Sequence, residues 1–416
     1  MNLDLDAVKS EPATNIVRIG KWIRSSGRYL EVAAWYLGAF GLALGHTVIA
    51  QLVLLPFAFH DLLASRWNYR LGSRGFQLFS RLDPLSILAI WMLFSSIFAY
   101  KRDNAFGSTF GLILTGWISL WAVNKIFHHD SQENGNAKAG PRILMAFLAG
   151  SAIGALYALW RFIPNMMMNR WYIRAELPFA GCNAAGTLFA LAILLASGCM
   201  SKARTPQKLG LGILILLEFL ALMATQSRGA LLALAAGLVI QAARNKRFAV
   251  IIAILAGMLA LSVAFYPPLK GRYLPLINPG SSFKDRIEIW RTAAMMIRDN
   301  PLVGIGVNNF RSTYVKYPHP EFMRDPQPFA HNILLEMGAS AGLPGLALFL
   351  WVIAVGLING IKAAKSARHS HQGWVGIVLF IALLVHLQVD IVVYSIDMAP
   401  LFFIIYGALR EMAATG

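Results

Sequence analysis

Charge is scarce in this chain. Of its 416 residues only 14% are charged while 57% are hydrophobic, and the mean hydropathy is +0.57. A soluble domain holds about 25% charged and about 45–50% apolar residues, so a water-soluble globule is excluded. Acids are the scarcer sign, with 20 Asp and Glu against 37 Lys and Arg, for a net charge of +17. Such an excess can serve nucleic acid, but in a membrane protein its sidedness carries the meaning, and no nucleic-acid partner is expected. Cysteine is nearly absent. Cys182 and Cys199, far apart in an apolar stretch, form neither a disulfide framework nor a zinc site. Missing too are HExxH, P-loop and GxSxG motifs. The one close aspartate pair, Asp4 and Asp6, lies in the basic N-terminal arm, so no metal and no cofactor is expected. That arm has no short apolar core before a small-residue cleavage site; it reads as a surface-lying segment and not as a cleaved signal peptide.

What is present is a succession of apolar runs, several reaching the roughly 17–25 residues that cross a bilayer. They predict an all-α polytopic membrane protein of about twelve transmembrane helices with one large external loop. Residues 1–28 form the arm, 29–266 the first nine helices, 267–342 the loop, and 343–416 the last three helices with a short tail. Short loops such as "SKARTPQK", "RNKR" and "KAAKSARH" are basic, which holds them in the cytoplasm and puts both termini there. "SRG" at 227–229 and the long loop then face outward. Within the loop, "DRIEIWRTAAMMIRDNP" has apolar residues near helical spacing and predicts a surface helix that stops at the proline. "PLVGIGVNNF" follows as a Gly-rich turn, and "YPHPEFMRDPQP" as a proline-stiffened lid.

On the outward side arginine outnumbers lysine, with Arg174, Arg228, Arg286 and Arg291 among the set. Guanidinium groups bind phosphate in a bidentate plane and stay charged in partly dry sites. The cluster therefore suits an anionic ligand beside the bilayer; headgroup contacts, or ion pairs with Asp285 and Glu288, would also satisfy single members. Arg228 stands out because only Ser227 and Gly229 separate it from two apolar runs. An ionisable group there is costly, and the free amides of the next helix start add to its attraction for anions. Glu218 lies ten residues earlier on the same run, about 15 Å away along a helix, and is expected to make a buried structural pair. His331 opens "HNILLEMGASAGLPG", where the long loop returns to the membrane. A neutral imidazole there can take a proton from a hydroxyl near pH 7, or simply cap the helix. Asn332 can likewise orient a sugar or cap.

Three segments, "SRGA", "DRIEIWRTAAMMIRDNPLVGIGVNNF" and "HNILLEMGASAGLPG", together resemble the O-antigen ligase family within the O-antigen ligase/polymerase superfamily. The resemblance implies a membrane glycosyltransferase of the bacterial inner membrane with its active site in the periplasm. Its donor would be an undecaprenyl-diphosphate-linked polysaccharide and its acceptor a sugar of lipid A-core, among membrane lipids. It assigns diphosphate binding to Arg228 and Arg286 and the acceptor-activating base to His331. Asp390 and Asp397, near the outer end of the last hairpin, are candidates for orienting the base or the acceptor, and Arg174, Arg291 and Asn332 are supporting candidates from their own positions in the sequence. Where the family often has an acid nine positions after the histidine, this chain has Ser340; the acid on the same stretch is Glu336, five positions after the histidine. O-antigen polymerase and protein O-oligosaccharyltransferase use the same donor. A flippase of lipid-linked glycans is the alternative from another class, though it would want charges through the midplane of both halves.

Overall fold

Apolar runs bounded by glycine, proline and charge form helices, because in lipid only internally bonded backbone is affordable. A computed structural model describes residues 30–31, 33–43, 47–67, 83–132, 139–170, 172–265, 281–319, 325–391 and 398–416. In chain order the helices are α1 (Ala33–Ala43), α2 (Thr47–Trp67), α3 (Pro84–Ile97), α4 (Arg102–Gln132), α5 (Ala139–Met167), α6 (Cys182–Met200) and α7 (Thr205–Thr225). Then come α8 (Arg228–Arg244), α9 (Phe248–Phe265), α10 (Ser281–Asp299), α11 (Phe310–Tyr314), α12 (Ile333–Lys365), α13 (Ser370–His386) and α14 (Ala399–Thr415). Among the described residues no strand forms; Leu177 and Ala180 make one isolated bridge. The fold is all-helical. Against an expectation of about twelve spans, α4, α5, α6, α7 and α12 are long and apolar enough to cross a membrane; α1, α3, α9 and α13 are shorter apolar helices. The N-terminal arm, residues 266–280 and part of the proline-rich segment lie outside the described residues.

The centre is α6. Every residue from Ala185 to Gly198 is buried, as a helix apolar on all sides must be. Its Ala, Gly and Ser side chains let α7, α8 and α13 approach closely. Around it α8 packs on α13, α12 on α3, α13 and α14, and α14 on α4. The surface helix α10 buries Ile289, Thr292, Ala293 and Met296 and leaves Lys284, Arg291 and Arg298 exposed. It lies against α12.

One feature of α12 positions the candidate site. The helix is broken at Gly342, whose φ of 72° and ψ of −179° leave the helical region. Only glycine adopts that conformation without strain, and a Cβ there would stand 2.1 Å from the Leu302 carbonyl oxygen. A break leaves the last carbonyls of the first piece without helical partners. The Gly-rich turn supplies them: Ile305 N donates to Ala339 O at 2.8 Å and Gly306 N to Ser340 O at 2.9 Å. Trp91 Nε1 donates to Ala341 O at 2.8 Å, and Leu343 N to Pro301 O at 2.7 Å. Thus "PLVGIGVNNF" is the cap of a broken helix, and it fixes the short piece 333–341 that begins beside His331.

Candidate functional site

Local backbone sets His331 first. It takes a left-handed φ of 51°, a region open to few residues besides glycine, asparagine, aspartate and histidine. Two clamps hold the chain around it. The Asn332 side chain accepts from Leu334 N at 3.0 Å and Leu335 N at 3.1 Å, the N-cap of α12. Of the two roles open to Asn332, the cap is the one observed; its Nδ2 also donates to Gln388 O and Oε1, both at 3.3 Å. Glu336, fully buried, accepts from Ala330 N at 2.8 Å and from Ser340 Oγ at 3.1 Å. Through these two bonds Glu336 fastens the turn to its own helix, and Ser340 is a partner of that acid.

Across from the turn, Ile333 N donates to Leu387 O at 2.8 Å, docking the helix start on the end of α13. That contact brings His331 Nδ1 within 3.2 Å of Asp390 Oδ1. A carboxylate only accepts, so Nδ1 is the donor of this pair, and Nε2 is the ring nitrogen that this bond leaves unused. Asp390 also accepts from Ile391 N at 2.9 Å through Oδ1, and through Oδ2 from Asn183 Nδ2. Asn183 Oδ1 in turn accepts from Arg174 Nη2 at 2.7 Å, while Arg174 Nε donates to Thr225 O at 2.8 Å. Burial alone would raise the Asp390 pKa. The His331 hydrogen bond and the charges of His386, His331 and Arg286 outweigh it, and the carboxyl is held below the usual aspartate value.

Arg228 is the first residue of α8, behind the Ser227 N-cap, whose side chain accepts from Ala230 N at 3.4 Å. Gly229 lets this helix start press on α13: a Cβ there would meet Val389 Cγ2 at 2.8 Å and His386 Nε2 at 3.1 Å. Arg286 reaches the same place from α10. Burial first, and then the positive charge of Arg228, lower its pKa, while Asp390 acts in the opposite direction. Its Nη1 is buried with no hydrogen-bond acceptor among the described residues.

The structure therefore brings His331, Asn332, Asp390, Arg174, Arg228 and Arg286 into one neighbourhood. Arg291 stands apart: its side chain is 64% exposed and pairs with Glu288 at 2.8 Å. Asp397 lies outside the described residues. Two members escape a reading of the sequence. Asn183 belongs to the Asp390 network, and the fully buried His386 stands 3.3 Å from Thr187 Oγ1. The available signal was spacing: Asn183 with Thr187, and His386 with Asp390, are polar pairs four residues apart, hence on one face of an apolar helix end. Glu218 is fully buried in α7 with Ser151 of α5 as its polar neighbour. Among the described residues no three His, Cys, Asp or Glu are grouped to hold a metal.

Residues 211–350 match the family model described as O-antigen ligase. The match runs from α7 into α12 and so includes Arg228, Arg286 and His331, while Arg174, Asn183, His386 and Asp390 lie outside it. No curated protein matches the chain.

Proposed function

We propose, for a chain whose residues 211–350 belong to the O-antigen ligase/polymerase superfamily of membrane glycosyltransferases, that it transfers O-antigen polysaccharide from undecaprenyl diphosphate to a sugar of lipid A-core. The site would face the periplasm from an inner-membrane protein of about twelve spans, with residues 267–342 as its external loop and both termini cytoplasmic. The observation that carries the reading is the buried, acceptor-free Nη1 of Arg286 beside a second arginine and near the His331–Asp390 pair. Leaving a charged donor buried without a partner costs about 1–3 kcal/mol or more. A diphosphate bound between Arg228 and Arg286 would recover that cost and take the charge of both.

The reaction follows from these positions. Nε2 of His331 accepts the proton of the acceptor hydroxyl as the oxygen attacks the anomeric carbon. The new carbon–oxygen bond forms on the face opposite the departing diphosphate, whose bond breaks with its electron pair, and configuration inverts. Asp390 stabilises the imidazolium that results, as a carboxylate behind a histidine does. Arg228, Arg286 and the amides at the start of α8 stabilise the charge appearing on the leaving group.

The test is complementation of a strain lacking its own ligase, with His331→Ala and Arg228→Ala at matched expression. Both are expected to leave lipid A-core without O-antigen while polymerised lipid-linked chains accumulate. Normal O-antigen on lipid A-core from both variants overturns the assignment. A wild-type chain that leaves the cores of this strain bare, yet extends the single-repeat caps of a strain lacking its own polymerase, identifies a polymerase.

A further inference from the structure

We propose that Arg174 and Asn183 form a positioning relay for the base, in which Arg174 fixes Asn183, Asn183 holds one oxygen of Asp390, and Asp390 presents the other to His331. The inference rests on His331 being the base. Hydrogen-bond polarity decides the arrangement. A guanidinium only donates and a carboxylate only accepts. The amide between them accepts with Oδ1 from Arg174 Nη2, at 2.7 Å, and donates with Nδ2 to Asp390 Oδ2, so it has one orientation. Arg174 is pinned in its turn by Thr225 O at 2.8 Å, and the next residue follows suit, Ala175 N donating to Ala224 O at 3.0 Å. The relay therefore starts on the last turn of α7, immediately before the helix start that carries Arg228, and ends on His331 Nδ1 at 3.2 Å. An amide spacer has a further consequence. A direct Arg174–Asp390 ion pair would neutralise the carboxylate, whereas the neutral Asn183 leaves its charge for His331.

The charged and titratable groups around the His331–Asp390 pair come from four directions. Asp390 interacts with His386 on α13, Arg286 on α10 and Cys182 at the start of α6; Arg228 on α8 stands next to Arg286, and Arg174 and Glu176 at the α5–α6 connection stand next to Cys182. Replacing Asn183 by aspartate sets a second carboxyl beside Asp390, and the Arg174 guanidinium, 2.7 Å from the Asn183 oxygen, favours its ionised form. Negative charge near an imidazole favours its protonated form.

The experiment measures glycosyl transfer against pH with purified full-length protein, a lipid-linked donor and lipid A-core acceptor. Thermal melting in detergent is followed in parallel. Asn183→Ala is expected to lower kcat about tenfold or more with the donor KM nearly unchanged, as loss of a partner behind a histidine's carboxylate does. Asn183→Asp, close to isosteric, is expected to move the acid limb of the profile to higher pH. A merely structural role would lower activity without moving that limb. An Asn183→Ala protein that melts like the wild type and keeps its kcat overturns the relay, as does an Asn183→Asp profile whose acid limb coincides with the wild type's. Should Asn183→Ala fail to fold, the position of the Asn183→Asp limb decides alone. If His331→Ala remains active, the base reading itself has failed; if it is inactive while both Asn183 variants match the wild type, only the relay has.

Discussion

His331 and Asp390 belong to a network closed on itself, whereas Arg286, close enough to Asp390 to feel its charge, keeps a buried Nη1 without an acceptor among the described residues. At the first end the protein supplies partners for both carboxylate oxygens and for Nδ1, and the helix start beneath is held by Asn332 and Glu336. At the second end two cations are gathered and one donor is left over. On the function proposed above, the difference is that between a group organised before substrate arrives and a group that the substrate would complete. Preorganised dipoles lower a barrier because no reorganisation remains to be done in the transition state. Leftover donors instead report where the ligand's charge is expected.

The largest effect should come from the closed end. His331→Ala is expected to cut glycosyl transfer about a thousandfold, within the range of general base removal. Donor affinity should hold, because the arginines remain. Measured by single-turnover transfer and donor titration, equal losses in both would break the distinction between the ends. Arg286→Ala should come next, with about a hundredfold loss of kcat and weaker donor binding as well. Arg286→Lys should recover little, because an ammonium lacks the planar fork of a guanidinium. A full recovery with lysine would mean that bulk charge, and not geometry, completes the anion end.

How the two ends read from sequence also differs. Arg228 and His331 are legible because an ionisable group where an apolar run begins has few inexpensive structural explanations. Arg286 is legible only through the resemblance of the segment around it, since its own helix also carries Arg291 and Arg298, which face solvent. The scaffold is harder. "GASAGLPG" looks like the ordinary entry to a span, yet Gly342 breaks the helix there and frees the carbonyls that Ile305 and Gly306 then satisfy. Neither half of that lock has meaning until tertiary structure joins them, so "PLVGIGVNNF" reads as no more than a turn. Asn183 is similarly silent, because its two partners, Arg174 and Asp390, are separated by more than two hundred residues.

Asp390→Asn sharpens the comparison further. An amide can still stand beside His331, but it no longer stabilises an imidazolium and can favour the wrong tautomer. A loss of about tenfold to a hundredfold in kcat is expected, with donor affinity unchanged. The sign of the pH effect follows from the lowered Asp390 pKa. The folded value lies below the unfolded one, so the carboxylate's contribution to stability is complete above the ordinary aspartate range. It is lost only as the pH falls through the lowered value. Asp390→Asn should therefore lower the melting temperature at neutral pH and lose less than the wild type on acidification.

Arg291 supplies the smallest expected effect and the control for the anion end. It lies on the same helix as Arg286, yet its guanidinium is 64% exposed and engaged with Glu288 at 2.8 Å. An exposed ion pair one helical turn apart contributes about 0.3–0.5 kcal/mol, and screening by salt reduces it further. Arg291→Ala should change transfer less than about twofold and leave donor affinity alone, when assayed beside Arg286→Ala. A loss comparable to that of Arg286→Ala would mean that the anion is held by the whole positive face of α10. The buried Nη1 of Arg286 would then no longer distinguish that residue from its neighbours. With Arg291 silent and Arg286 sensitive, burial and the lack of an internal acceptor are what separate a ligand-binding arginine from a solvated one on the same helix.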